Sequence, residues 1–94
     1  MDLKYIIKGS GPLRLWIHGL MGTGLNFVFN TEEIPGTHIL PDLRNHGKSF
    51  HHPDCSFDAM ASDITRLLLK QGFSRGPVLG HSLGGKVALQ LALT

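Results

Sequence analysis

Short apolar runs of β-type spacing fill the first part of the chain, and apolar residues spaced by three and four follow later. Leu3 to Lys8 (LKYIIK) and Leu13 to Ile17 (LRLWI) read as two strands, separated by a turn at Gly9-Ser10-Gly11-Pro12. Gly19 to Gly24 holds three glycines in six residues, a loop in which the backbone can approach another group closely. Leu25 to Phe29 is a candidate short helix with Leu25, Phe27 and Phe29 partly buried, and Pro35-Gly36 marks a turn. His38 to Leu40 is a third short strand running to Asp42, and the polar stretch Asp42 to Pro53 reads as loop. Ser56 then caps a helix whose Phe57, Met60, Ala61, Ile64, Leu67 and Leu68 form one apolar stripe. Asp58 in its first turn, Lys70 in its last and Gly72 beyond match the helix dipole and a C-terminal cap. Pro77 to Leu79 is a fourth short strand, Gly80 to Gly85 a sharp turn, and Lys86 to Leu93 a second apolar helix. The order β, β, (α), β, α, β, α predicts an α/β domain with a mostly parallel sheet and helical crossovers.

Length and composition narrow the possibilities. Ninety-four residues, 41% hydrophobic and 17% charged, fit one small globular domain spanning 1–94. No apolar run is long enough to predict a membrane span. The first residues, Met1-Asp2-Leu3-Lys4, have the mixed charge of neither a signal peptide nor a presequence, which predicts a cytoplasmic protein. The single cysteine, Cys55, agrees with a reducing compartment and excludes an internal disulfide. Nine Lys/Arg against seven Asp/Glu are scattered without a basic stripe, so no nucleic-acid partner is expected. His46, His51 and His52 lie close together, but without a carboxylate cluster they predict no metal site, and no cofactor is expected.

The chemistry concentrates at Gly80-His81-Ser82-Leu83-Gly84, a G-x-S-x-G between a predicted strand and a predicted helix. Such a turn holds its central residue in a strained conformation with the side chain projecting. A Cβ on either flanking position would collide with neighbouring elements. Ser82 is the candidate nucleophile, and the N–H of Leu83, at a helix N-terminus, is one candidate oxyanion donor. His18-Gly19, closing the second strand, opens the loop that would supply the other donor. Leu20 is the first choice there and Met21 the next. His18 reads mainly as a structural residue bonded to loop backbone. Asp42-Leu43-Arg44-Asn45-His46-Gly47-Lys48-Ser49 could be an ordinary polar loop or the rim of a cleft above the strand ends. Gly80-x-x-x-x-Gly85-Lys86 is a near miss to a phosphate-binding loop, in which Val87 lacks the hydroxyl that would hold magnesium.

His18-Gly19-Leu20-Met21-Gly22, the R-N-H-G-x-S of the Asp42–Ser49 loop, and G-H-S-x-G-G-K together resemble the N-terminal part of an α/β-hydrolase. More narrowly, they are similar to the small acyl-esterases of the abhydrolase family, bacterial and mitochondrial. The likeness runs from about Leu3 to Thr94. It implies a partial α/β-hydrolase fold ending after the nucleophile helix, and a mitochondrial location becomes an alternative to the cytoplasm. It implies hydrolysis of small carboxylic esters or thioesters through an acyl-enzyme on Ser82, with Leu20 and Leu83 as oxyanion donors and His18, Met21 and His81 at the substrate. The family then supplies an acid and a histidine after the nucleophile, whereas Leu83 to Thr94 contains no Asp, Glu or His. These residues alone are therefore expected to show little esterase activity. A non-catalytic or partner-complemented hydrolase-fold fragment is the alternative. An open sheet edge at Pro77 to Leu79 predicts self-association or a complementing chain.

Overall fold

The computed structural model describes residues 2–28, 31–32, 34–73 and 76–93. Its sheet has four strands: β1 (Tyr5–Ser10), β2 (Leu13–Ile17), β3 (Gly36–Pro41) and β4 (Val78–Gly80), in the order β1-β3-β2-β4. Two helices, α1 (Phe57–Lys70) and α2 (Leu83–Leu93), and a 3₁₀ turn over Gly24–Phe27 complete it. β2 runs parallel to both β3 and β4, whereas β1 is antiparallel to β3. The sheet is therefore mixed but mostly parallel.

Several boundaries differ from those read along the chain. β1 ends at Ser10, two residues beyond the expected Lys8, because Gly9 and Ser10 pair with Thr37 and Gly36 of β3. Gly9 adopts φ +82° there and lies against the Gly36 carbonyl, a spacing without room for a side chain. β3 begins earlier than expected, at Gly36. β4 is shifted by one residue and α2 begins at Leu83, directly at the end of the turn. The expected helix from Leu25 is instead the 3₁₀ turn. Four residues make no apolar stripe, so Leu25 is exposed rather than partly buried; Phe29 lies outside the described residues.

Alternation along β2 divides the core. Leu13, Leu15 and Ile17 face α1 and α2, where they pack with Ile39, Leu43, Met60, Ile64, Leu67 and Val87. Each such side chain contributes about 1.5–3 kcal/mol by its burial. Trp16 points to the other face, against the Phe27 ring, and donates from Nε1 to Nδ1 of buried His38 at 3.0 Å. α1 starts where Ser56 Oγ accepts the Ala59 N–H. Its buried face includes Met60, Ala61, Ile64 and Leu67 as expected, and also Asp63, which receives Arg44 through Nε at 2.7 Å and Nη2 at 2.9 Å. Phe57 is exposed at the rim of the stripe, its ring beneath the Lys86 ammonium. β4 closes the sheet order on one side, with Val78 and Leu79 exposed. Among the described residues no helix is long and apolar enough to cross a membrane.

Candidate active site

The turn from β4 into α2 is fastened to the end of β2. The His81 N–H donates to the Ile17 carbonyl at 3.0 Å, continuing the line of the β2–β4 ladder. The Gly84 and Gly85 N–H groups donate back to the His81 and Ser82 carbonyls, each at 2.9 Å. This tight reversal holds Ser82 at φ +55°, a left-handed conformation that costs a side-chain-bearing residue roughly 1–2 kcal/mol. Both flanking glycines are required by space. A Cβ on Gly84 would strike the Ile17 and His18 carbonyl oxygens, and one on Gly80 would strike the Gly84 and Gly85 backbone. Gly19 is as close from the opposite side: a Cβ there would lie 3.1 Å from the His81 carbonyl oxygen and 3.3 Å from Ser82 Cβ. Strand end, glycine loop and turn thus meet at van der Waals contact.

Above this junction lies a cleft of about 470 Å³ whose lining includes His18, Leu20, Met21, His81 and Ser82. Ser82 and His81 are exposed, and neither side chain hydrogen-bonds to another group among the described residues. The N–H groups of Leu20 and Leu83 are likewise unbonded among them; Leu83 opens α2, where an N–H has no partner within its own helix. The side chains of Leu20 and Met21 project into solvent, and Met21 itself sits at φ +65°.

His18 behaves differently from its neighbours. It is fully buried, and both ring nitrogens are engaged: Nε2 accepts the Leu43 N–H at 3.0 Å, so Nδ1 carries the proton and donates to the Gly19 carbonyl at 2.7 Å. Burial holds its pKa below the ordinary 6.5, with the nearby His46 ring acting in the same direction. The Gly22 N–H donates to that same Gly19 carbonyl, so His18 braces the glycine loop.

The Asp42–Ser49 loop does not line this cleft; it lies behind it. Asp42 accepts the Gly24 and Lys48 N–H groups at 2.7 and 3.0 Å. Arg44 turns into the core toward Asp63 and also donates to the Asp54 carbonyl, its guanidinium over the Phe50 ring. Asn45, at φ +66°, clasps the His52 backbone through both side-chain atoms. The His46 ring lies against the His18 ring at a tilt of 52°, with centroids 5.0 Å apart. Of the two readings open from the sequence, the loop is not the rim of this cleft; its polar side chains hold neighbouring backbone instead. Lys86, the lysine of the near-miss phosphate loop, reaches toward α1 and Phe57. Among the described residues no group of three or more His, Cys, Asp or Glu could hold a metal ion.

Two cleft residues were not assigned to a site from the sequence. Phe27 lines the cleft and lies against Trp16 in a tilted contact, with ring centroids 5.4 Å apart. Asn26 lines it too, its Oδ1 accepting the Thr23 N–H at 2.7 Å while the Thr23 hydroxyl accepts the Leu25 N–H. Thr23-x-x-Asn26 has the spacing of a capping box, the signal that could have singled it out.

Comparison with known proteins agrees with this architecture. A family model described as alpha/beta hydrolase fold matches residues 15–94. The chain is 40% identical over 91 residues to the sn-1-specific diacylglycerol lipase ABHD11 of Danio rerio, an alignment covering 93% of this chain and 29% of that protein. It superposes on a marine microorganism esterase with a TM-score of 0.91 at 35% identity, covering 97% of this chain and 36% of the esterase. The epoxide hydrolase CorEH, solved without ligand, gives a TM-score of 0.87 at 30% identity, with 96% and 33% covered. The chain thus spans about a third of the length of the relatives it matches. With four strands and two helices in register with such structures, the chain belongs to the alpha/beta hydrolase fold family.

Proposed function

We infer that these residues form the nucleophile-bearing part of a serine esterase or thioesterase acting on small acyl substrates. The observation that carries this reading is Ser82, strained at φ +55° with its side chain open to the cleft. In the reaction a base takes the Ser82 hydroxyl proton as Oγ bonds to the substrate carbonyl carbon. The N–H groups of Leu20 and Leu83 receive the oxyanion that forms. Collapse breaks the bond to the alcohol or thiol, which leaves with a proton. Water then cleaves the acyl–Oγ bond, releasing the acid and restoring Ser82. His18 holds the oxyanion loop through Gly19, while Met21 and His81 border the substrate. The lipase and esterase relatives support the acyl class. A cytoplasmic or mitochondrial setting fits the free, exposed Cys55.

A second reading rests on a specific observation. No base hydrogen-bonds to Ser82 among the described residues, and 83–94 contain no Asp, Glu or His. On this reading residues 1–94 form a hydrolase-fold module completed by other residues, and β4, which has no outer neighbour among the described strands, is the contact for them.

Intact-mass spectrometry with a fluorophosphonate, with and without added imidazole as a diffusible base, separates the two. We expect slow labelling that imidazole accelerates and that Ser82→Ala abolishes. No adduct even with imidazole, or an adduct that persists in Ser82→Ala, overturns the esterase reading and favours the second.

A further inference from the structure

We propose that Asn26 is a specificity-determining residue whose side-chain amide Nδ2 donates a hydrogen bond to an acceptor oxygen of the ligand, so that the cleft selects oxygenated esters. These carry an ether, hydroxyl or carbonyl oxygen beyond the scissile group. The inference deepens the esterase reading and rests on it for the identity of the scissile group alone.

Three observations support the assignment. Asn26 lines the same cleft as Ser82 and Leu20. Its orientation is set: an amide N–H cannot be accepted by an NH₂ group, so the bond from the Thr23 N–H at 2.7 Å identifies the bonded atom as Oδ1 and leaves Nδ2 as the free end. That end has no acceptor among the described residues, while the Oδ1 end packs against Gly22 of the loop braced by His18. The amide is thus held by a reciprocal contact, with the Asn26 N–H also bonded to the Thr23 carbonyl at 3.1 Å. A donor whose amide is held at its other end loses less freedom on binding, even on an exposed residue, and discriminates against a ligand that cannot accept from it. A hydrocarbon arm of equal size would cover Nδ2 without replacing the water it displaces.

Binding of unreactive ketones, followed by NMR of the 94-residue protein, tests this without any chemistry at Ser82. Two matched pairs serve as probes: methoxyacetone against 2-pentanone, and 4-methoxybutan-2-one against 2-hexanone. In each pair an ether oxygen replaces one methylene. We expect at least one ether to bind about three- to tenfold more tightly than its hydrocarbon partner, the ratio expected for one neutral hydrogen bond. The same ether should shift the Asn26 Nδ2 resonances, and its hydrocarbon partner should not. Asn26→Asp keeps an oxygen for the Thr23 N–H and removes the donor. It should retain the Thr23 amide resonance and lose the preference. Equal binding within both pairs, no ether-specific shift of Nδ2, or a preference surviving in Asn26→Asp overturns the proposal. Failure of Ser82 labelling strikes the esterase reading and leaves the ketone result standing, so the two are distinguishable.

Discussion

Ser82 trades conformational comfort for position. A glycine at φ +55° has no Cβ penalty, so Ser82→Gly should stabilise the fold by roughly 0.5–1 kcal/mol, read as a raised urea midpoint, while removing the candidate nucleophile's hydroxyl. Gly84→Ala works in the opposite sense. Its methyl would enter the space of two carbonyl oxygens at the end of β2, and a loss of at least about 2 kcal/mol is expected in the same unfolding assay. His18 adds a pH dependence. Its folded pKa is lowered, chiefly by burial, so below its ordinary 6.5 the unfolded chain binds the proton that the folded chain resists. Stability should therefore fall as pH drops from 6.5 toward the lowered folded value and level off beneath it. His18→Gln, which does not titrate, should flatten that slope in denaturant titrations between pH 7 and 5. The strained serine and its glycines were legible because the turn that needs them is written in five consecutive residues, although the groups that crowd Gly84 come from the end of β2. Asn26 was not, because its importance comes from which of its two ends the Thr23 backbone occupies.

At the scale of elements, α1 shows what periodicity reveals and what it hides. Its cap, most of its stripe and its end before Gly72 follow from neighbouring residues and were read correctly from spacing, with exposed Phe57 the exception. Asp63 sits on the same buried face but owes its place to Arg44, nineteen residues earlier in another loop. No helical period announces such a partner. Removing the carboxylate in Asp63→Ala leaves the buried guanidinium with only the Asp54 carbonyl and should cost about 3–5 kcal/mol, measured by chemical denaturation. The exposed Arg66, which also bonds Asp63, cannot substitute for it. β1 follows the same rule: its extension to Ser10 and its antiparallel direction are decided by β3, which lies beyond β2 in the chain.

For the whole molecule, the sheet order matters more than any single strand. β4 carries the turn into α2 and is also the outermost strand, with Val78 and Leu79 exposed. Among the described residues no strand pairs with the outer side of β4, and such an edge beside exposed apolar side chains favours pairing with another strand, so self-association of the 94-residue protein is expected in light scattering. Leu79→Lys should reduce it, and a monodisperse monomer for the wild type would count against it. The alternation of strands and helices made the architecture legible, whereas the order β1-β3-β2-β4 rests on long-range pairing that no window of sequence contains. The junction beneath Ser82 has one further consequence. Because the serine keeps its torsion only while β2, β4 and α2 are seated against one another, the labelling proposed for it would be a gauge of their assembly. A protein whose sheet has begun to loosen would fall silent toward an acylating probe before it lost its helical circular dichroism, and the interval between the two signals would measure how tightly chemistry is wired to tertiary structure.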